Sequence, residues 1–418
     1  MTRCAVIVDP LSTGQEYADA FRAAGVAPVA VVDGAERSPI MRGSWHPENY
    51  ETVLHRDDFR DTADLAAALR ALDPLCIVPG AEVGVELYEE LVGLVLPGTG
   101  NDRDRADARR DKWAMATALQ AAGVPALRQL CSDDADEIAG WIRREGLADA
   151  ALVVKPPKSG GTDDVHIIPP GTDWRPLVAQ IVGKVNLTGL VNEAVLVQEF
   201  AEGPEFLVDS YSADGQHGLV DVCRYTKFRR GDRIGIYDRV DFLPPDHPDV
   251  RTVWPYVRGV LDAVGIRNGC GHSEVVLTDR GPRLLEVAER PAGGGHQLIS
   301  ELATGDNHIH RTVAHRVQGT FRRDYALRRH VCGIFLSAPS PGLLRDVAEL
   351  GHVDALSTFY AKRLLRDVGG PVPETVDLTT VLGWVILSGD DPAAIDADYR
   401  RVKELESRVR IDAARRAA

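Results

Sequence analysis

The residues of this chain best suited to chemistry fall in two short stretches. In SEVVLTDRGPRLLEVAER, Glu274 and Glu286 stand twelve residues apart, so a hairpin turning near Asp279, Arg280 and Gly281 sets them opposite each other on one face. Like charges so placed destabilise a sheet unless something neutralises them. Mg²⁺, commonly held by one or two carboxylates together with nucleotide phosphates, is the natural partner. Taken alone, two glutamates read more readily as an exposed, solvated pair on an edge hairpin. Arg290 follows Glu286 by four residues, just before PAGGG, and offers a cation that can grip a carboxylate or an oxyanion with two parallel donors. The second stretch, KPPKSGGTDDV from Lys155 to Val165, follows the apolar ALVV and joins glycine, serine and threonine to two lysines. Such a loop lays backbone N–H groups over phosphates while Lys155 supplies fixed positive charge. A glycine-rich loop that binds nothing explains it equally well. It is not a Walker A loop, since the chain contains no GK[ST].

These residues need a scaffold, and 418 residues suffice for roughly three domains or two large ones. Residues 1 to 110 alternate the two periodicities: CAVIV, a helical pattern from Gln15 to Ala24, VAPVAVV, a second helix from Asp61 to Leu72, LCIVPG, and a third from Val83 to Leu94. That order predicts a parallel sheet with helices on both faces. GTGNDR at 98 to 103 lacks the third glycine of a dinucleotide fingerprint, because Arg103 stands there. Asp104 to Ala122 reads as a helix stopped by Gly123 and Pro125. Residues 111 to 205 then form one subdomain and 206 to 318 a strand-dominated second one carrying the glutamate hairpin. Residues 319 to 418 form a C-terminal α+β part ending in a charged helix from Ala393 to Arg408.

Composition narrows the function further. With 48 Lys+Arg against 62 Asp+Glu, the formal charge of −14 repels a phosphate backbone over most of the surface, which argues against a nucleic-acid partner. No run approaches the ~18 apolar residues of a membrane span, so no membrane partner is expected. The six cysteines show no ligand spacing, and CAVIV is too short for a signal-peptide core. A reduced, cytoplasmic setting follows as the default.

Together these features resemble the ATP-grasp superfamily over nearly the whole chain. The resemblance implies an N-terminal α/β domain followed by two domains that clamp ATP. RRDKWAM puts Lys112 where that family has its first ATP-binding lysine, and VVKP puts Lys155 at the second. Ser159, Gly160 and Gly161 match the flap over the phosphates, a flap spanning 158 to 164 here. VQEFAEGPEF resembles the adenine hinge, with Gln198, Glu199 and Ala201 at the adenine edge and Glu205 where a carboxylate takes the ribose hydroxyls. HSEVVL and LLEVAER give Glu274 and Glu286 as ligands of Mg²⁺, for which Mn²⁺ can substitute. Ala288 departs from the E-x-N that many members carry, so one metal ligand of the common pattern is missing.

The H-x-E and E-x-A-x-R strings are similar to the L-amino acid ligase branch, which includes dipeptide synthetases. There the arginine at the position of Arg290 meets substrate or intermediate, and His272 sits beside the metal strand. The implied reaction is amide bond formation between a carboxylate and an amine, amino acids among them, through an acylphosphate, with release of ADP and phosphate. A homodimer is usual for proteins resembling this one. A carboxylase or purine-pathway ligase of the same fold, and a nucleotide-binding protein without turnover, stand as the rivals. Beyond the resemblance, Arg224, Tyr225 and Lys227 in RYTKF suit either a substrate-facing strand or an exposed polar face. His296 suits an acceptor pocket or a structural role, and Glu82 a ligand site or a helix N-terminus.

Overall fold

The apolar run Cys4–Val8 is buried throughout and lies inside a parallel sheet ordered Thr52–His55, Ala27–Val32, Cys4–Val8, Cys76–Pro79. Unbroken apolar strands are what a parallel sheet needs when both of its faces are covered. One face packs Val6 and Val8 against Leu65, Leu69 and Leu91. The other packs Ile7 against Tyr17 and Phe21, and also against Ile309 and Val313 from a helix far along the chain. Thr52–His55 has no counterpart in the sequence reading: as the edge strand it is only half-buried, so its apolar signal is weak. The computed structural model describes residues 3–33, 43–230 and 233–413. No helix among them is long and apolar enough to cross a membrane.

Two further sheets carry the chemistry. An antiparallel sheet of four strands runs Gln129–Ser132, Val195–Glu199, Leu152–Lys155, His166–Ile168. The largest sheet has eight strands, beginning with Gly281–Ala288, Gly269–Thr278, Glu205–Ala213, Gln216–Arg230 and Arg233–Phe242. Its last three, His330–Leu336, Gly383–Gly389 and Phe359–Leu364, come from the final hundred residues, which thus extend the central sheet. The helix Pro248–Ala263 covers it with Val250, Val253, Val257 and Val260, spaced three and four apart, set against Phe206, Val208 and Val275.

The helix expected from Asp104 to Ala122 forms only over Lys112–Ala121. Asp111 takes the N-cap, its carboxylate accepting from the N–H groups of Trp113 and Ala114. Before it come two 3₁₀ turns, Arg103–Arg105 and Asp107–Arg109, whose arginines are committed elsewhere. Arg105 donates to the carbonyls of Asp262 and Ala263. Arg109, fully buried, lies between Glu89 (2.7 Å) and Glu289 (2.9 Å).

That junction joins the N-terminal unit to the bend that follows the strand Gly281–Ala288, and it holds two carboxylates for one guanidinium. Burial first, and the neighbouring Glu89 second, push Glu289 well above the ordinary carboxylate range against the pull of Arg109. Glu289 therefore holds a proton to a higher pH when folded than in the unfolded chain, where it ionises near pH ~4.3. Folding takes up a proton above that pH, so this group's contribution to stability falls as pH rises toward its folded pKa. Glu289→Gln keeps an acceptor for Asn101 (2.6 Å). Relative to wild type its melting temperature is expected to climb as pH rises above about 5; parallel curves in calorimetry would refute the raised pKa.

Candidate active site

Across the hairpin Gly269–Thr278 and Gly281–Ala288, Glu274 and Glu286 are direct register partners. Both carboxylates face a cavity of about 720 Å³ between the four-stranded and eight-stranded sheets. Burial and then the opposing Glu286 raise the pKa of Glu274. Burial acts the same way on Glu286, but Lys112, then Lys155 and Arg290, outweigh it and hold that pKa low. Two oxygen-donor side chains repelling each other at one end of a cavity fit a hard divalent cation such as Mg²⁺. Ala288, at the position of the missing ligand, pairs with His272 across the strands and adds no donor.

Lys112 approaches these carboxylates from the start of the helix Lys112–Ala121, and Lys155 from the end of a strand of the four-stranded sheet. Lys112 Nζ lies 2.9 Å from Glu286 and donates to the Ser159 carbonyl at 2.9 Å, tying the flap to the hairpin. Lys155 closes its strand inside the cavity and donates to Gln198 at 3.4 Å. Burial and then the nearby Lys112 lower its pKa to about 8. Phosphate oxygens entering between two such amines would relieve their repulsion.

A turn over residues 183–192 holds the flap. Asn186, buried, donates to the Lys158 carbonyl at 2.7 Å, and the Leu187 N–H donates to Asp163 at 2.8 Å. Lys184 pairs with Asp164 at 2.5 Å. Gly161 has φ +65 and Asp164 φ +49, so the flap takes its shape from left-handed turns that favour glycine. At the hinge, Gln198 donates to Gln129 at 2.5 Å and, with Ala201, lines the cavity. Glu199 points its carboxylate the other way, to Arg128 and Arg280 at 2.7 and 2.9 Å. Alternation along a strand produces this: Gln198 and Glu199 are neighbours and face opposite sides.

Arg290 lies outside the cavity wall. Its Nε donates to Glu82 at 2.6 Å, and the second oxygen of Glu82 accepts from Arg110 at 2.9 Å. Glu82 sits past the end of strand Cys76–Pro79, where ligand sites of parallel sheets gather. The loops there pack closely: a Cβ on Gly14 would lie 2.4 Å from Gly80 Cα. Thr13 donates to the Ala292 carbonyl at 2.8 Å, joining the first loop of the chain to the turn after Arg290.

His272 is buried, with Nδ1 2.6 Å from Asp209 and Nε2 3.9 Å from Glu274. Asp209 also faces His296 and His308, each at 3.4 Å, and His296 meets Asp221 at 3.1 Å. His296 is thus committed to a buried charge network behind the site.

The structure therefore brings Lys112, Lys155, Gly161, Gln198, Ala201, Glu205, Glu274 and Glu286 to one cavity. Ser159 reaches it through its carbonyl, and Gly160 packs against Glu82. Of RYTKF, Lys227 enters the cavity, Tyr225 is half-buried beside the rings of Tyr237 and Phe335, and Arg224 lies near Asp249 at 3.9 Å. The sequence reading missed Tyr237, the flap-holding Asn186, and Val376 and Asp377, which reach the cavity from the C-terminal part. None of these sits in a stretch whose spacing points to a site.

Residues 148–298 match the model of the ATP-grasp domain. The chain is 26% identical to dapdiamide A synthase from Enterobacter agglomerans, over 96% of this chain and 95% of that protein. It is also 26% identical to the L-arginine-specific L-amino acid ligase of Bacillus subtilis, over 46% of this chain and 45% of that one. Among solved structures, the L-amino acid ligase from Bacillus licheniformis superposes with a TM-score of 0.72 at 16% identity, covering 99% of this chain and 100% of the other. With its lysines, flap and glutamate hairpin gathered at one cavity, the chain carries an ATP-grasp domain over residues 148–298.

Proposed function

We propose that this protein is an ATP-dependent carboxylate–amine ligase that forms an amide bond, with amino acids among its substrates. The observation that carries the reading is the convergence of Lys112 and Lys155 on the Glu274–Glu286 pair inside one cavity, with Arg290 at its border. A carboxylate does not condense with an amine near neutral pH unless oxygen is first made a leaving group. Transfer of the γ-phosphoryl of ATP to the carboxylate gives an acylphosphate and ADP. Attack of the amine then breaks the acyl–oxygen bond and releases phosphate, the ammonium proton passing to solvent or base.

Lys112 and Lys155 bind and orient the phosphates, and Glu274 and Glu286 hold Mg²⁺, which supplies positive charge to the phosphoryl oxygens. The flap, fastened by Asn186 and Lys184, keeps water from the acylphosphate. Gln198 and Ala201 border the base, and Glu199 contributes through its main chain only. Arg290, held by Glu82, is aimed at the acyl group, and Asp209 fixes the ring of His272 beside the metal strand. The likeness to dapdiamide A synthase and to an amino acid ligase supports an amino acid as one substrate.

The test is phosphate release from Mg·ATP against paired amino acids and other small carboxylates, with ADP separated from AMP and products identified by mass spectrometry. ADP and phosphate that appear only with a particular pair, together with the coupled product, are expected. ADP that requires bicarbonate would turn the reading to a carboxylase, and AMP would exclude the acylphosphate.

A further inference from the structure

Glu205 begins its strand inside the cavity, buried, and each of its oxygens already has one protein donor. Lys227 Nζ lies 2.6 Å from Oε2, and the Tyr237 hydroxyl donates to Oε1 at 3.1 Å. Tyr237 reaches it because of a break in register between the strands Gln216–Arg230 and Arg233–Phe242. Thr226 pairs with Arg239, but Lys227 pairs with Tyr237, leaving Asp238 as the extra residue of a bulge. In an unbroken ladder Asp238 would oppose Lys227 and turn a second carboxylate toward Glu205, with Tyr237 on the far face. Instead Asp238 is drawn away to Lys403, 2.9 Å off on the C-terminal helix.

The Tyr237 ring has little freedom. Tyr225 packs edge-on to it at 4.7 Å, Phe335 lies at 6.1 Å, and Lys227 Nζ sits 4.0 Å above its centroid. Its hydroxyl is therefore a fixed donor. An ionised carboxylate only accepts hydrogen bonds. With Lys112 and Lys155 in the same cavity to take the phosphates, a nucleoside triphosphate offers the Glu205 carboxylate, as hydrogen-bond donors, little besides its ribose hydroxyls and the amino group of its base.

Resting on the ATP reading above, we propose that Tyr237, together with Lys227, is a specificity-determining positioning residue that fixes the Glu205 carboxylate to receive a vicinal diol, so that ribonucleotides are selected over 2′-deoxynucleotides. A sugar lacking the 2′-hydroxyl leaves an acceptor of Glu205 unpaired in a desolvated site, whereas an unfixed carboxylate can turn toward water and escape that penalty.

Isothermal calorimetry with Mg·ATP and Mg·dATP, on the full chain and on Tyr237→Phe and Tyr237→Leu, tests this. Wild type is expected to favour ATP by tens of fold, and both variants by less than about fivefold, because the hydroxyl and not the ring sets the preference. A purely structural role predicts the wild-type ratio in Tyr237→Phe and a change only in Tyr237→Leu. That result, or equal binding of ATP and dATP by wild type, overturns the inference while leaving the ligase reading intact. Failure of folded wild type to bind either nucleotide overturns both.

Discussion

Glu286→Gln is expected to lower ATP-dependent product formation by at least about a hundredfold, the scale seen when a preorganised charge is removed from a phosphoryl- or acyl-transfer site. Glu286 opposes Glu274 in register and pairs with Lys112, which also holds the flap through the Ser159 carbonyl. Losing its charge removes one of the two carboxylates available to a divalent cation and frees Lys112 from its partner. Glutamine keeps the size of the side chain and a hydrogen-bond acceptor, so the fold is not at stake. The Mg²⁺ concentration giving half-maximal rate should rise several-fold in the same variant. A variant turning over within about threefold of wild type would remove Glu286 from the site.

Arg290→Lys tests a different bond. The substitution keeps a positive charge for Glu82 but loses the planar fork that presents two parallel donors. Turnover of the coupled substrates is expected to fall by about a hundredfold, while the affinity for Mg·ATP measured by calorimetry shifts by less than about threefold. The split follows from position, since Arg290 stands outside the wall of the cavity proposed for ATP and toward the N-terminal loops. A drop in ATP affinity matching the drop in turnover would mean that Arg290 serves the nucleotide. Full activity would make it only a partner for Glu82.

Much of the site is legible in the chain because local rules fix it. The twelve-residue spacing of Glu274 and Glu286, with Asp279, Arg280 and Gly281 at the midpoint, determines that the carboxylates meet, and they do so in register. Runs such as CAVIV and VAPVAVV determine buried parallel strands, and Asp61 and Asp134 mark helix starts that they cap through side-chain oxygens. The helix expected from Asp104 failed for a tertiary reason. Arg109 is worth more inside the Glu89–Glu289 pair, and Asp111 caps a later start.

Other features depend on contacts that no local pattern encodes. Glu199 and Gln198 are adjacent and both polar, and only the docking of Arg128 and Arg280 decides which of the two faces the cavity. Tyr237 enters because one extra residue, Asp238, shifts a register, and that shift coincides with Lys403 more than a hundred and fifty residues away. Glu82 and Arg290 lie 208 residues apart and meet only when the N-terminal sheet docks. By itself the sequence determined most of the elements, the facing glutamates and the family's motif order, because hydrogen bonding and side-chain periodicity act over a few residues. The tertiary structure alone decided which side chains share the cavity, because burial and charge pairing act between surfaces that only the folded chain brings together.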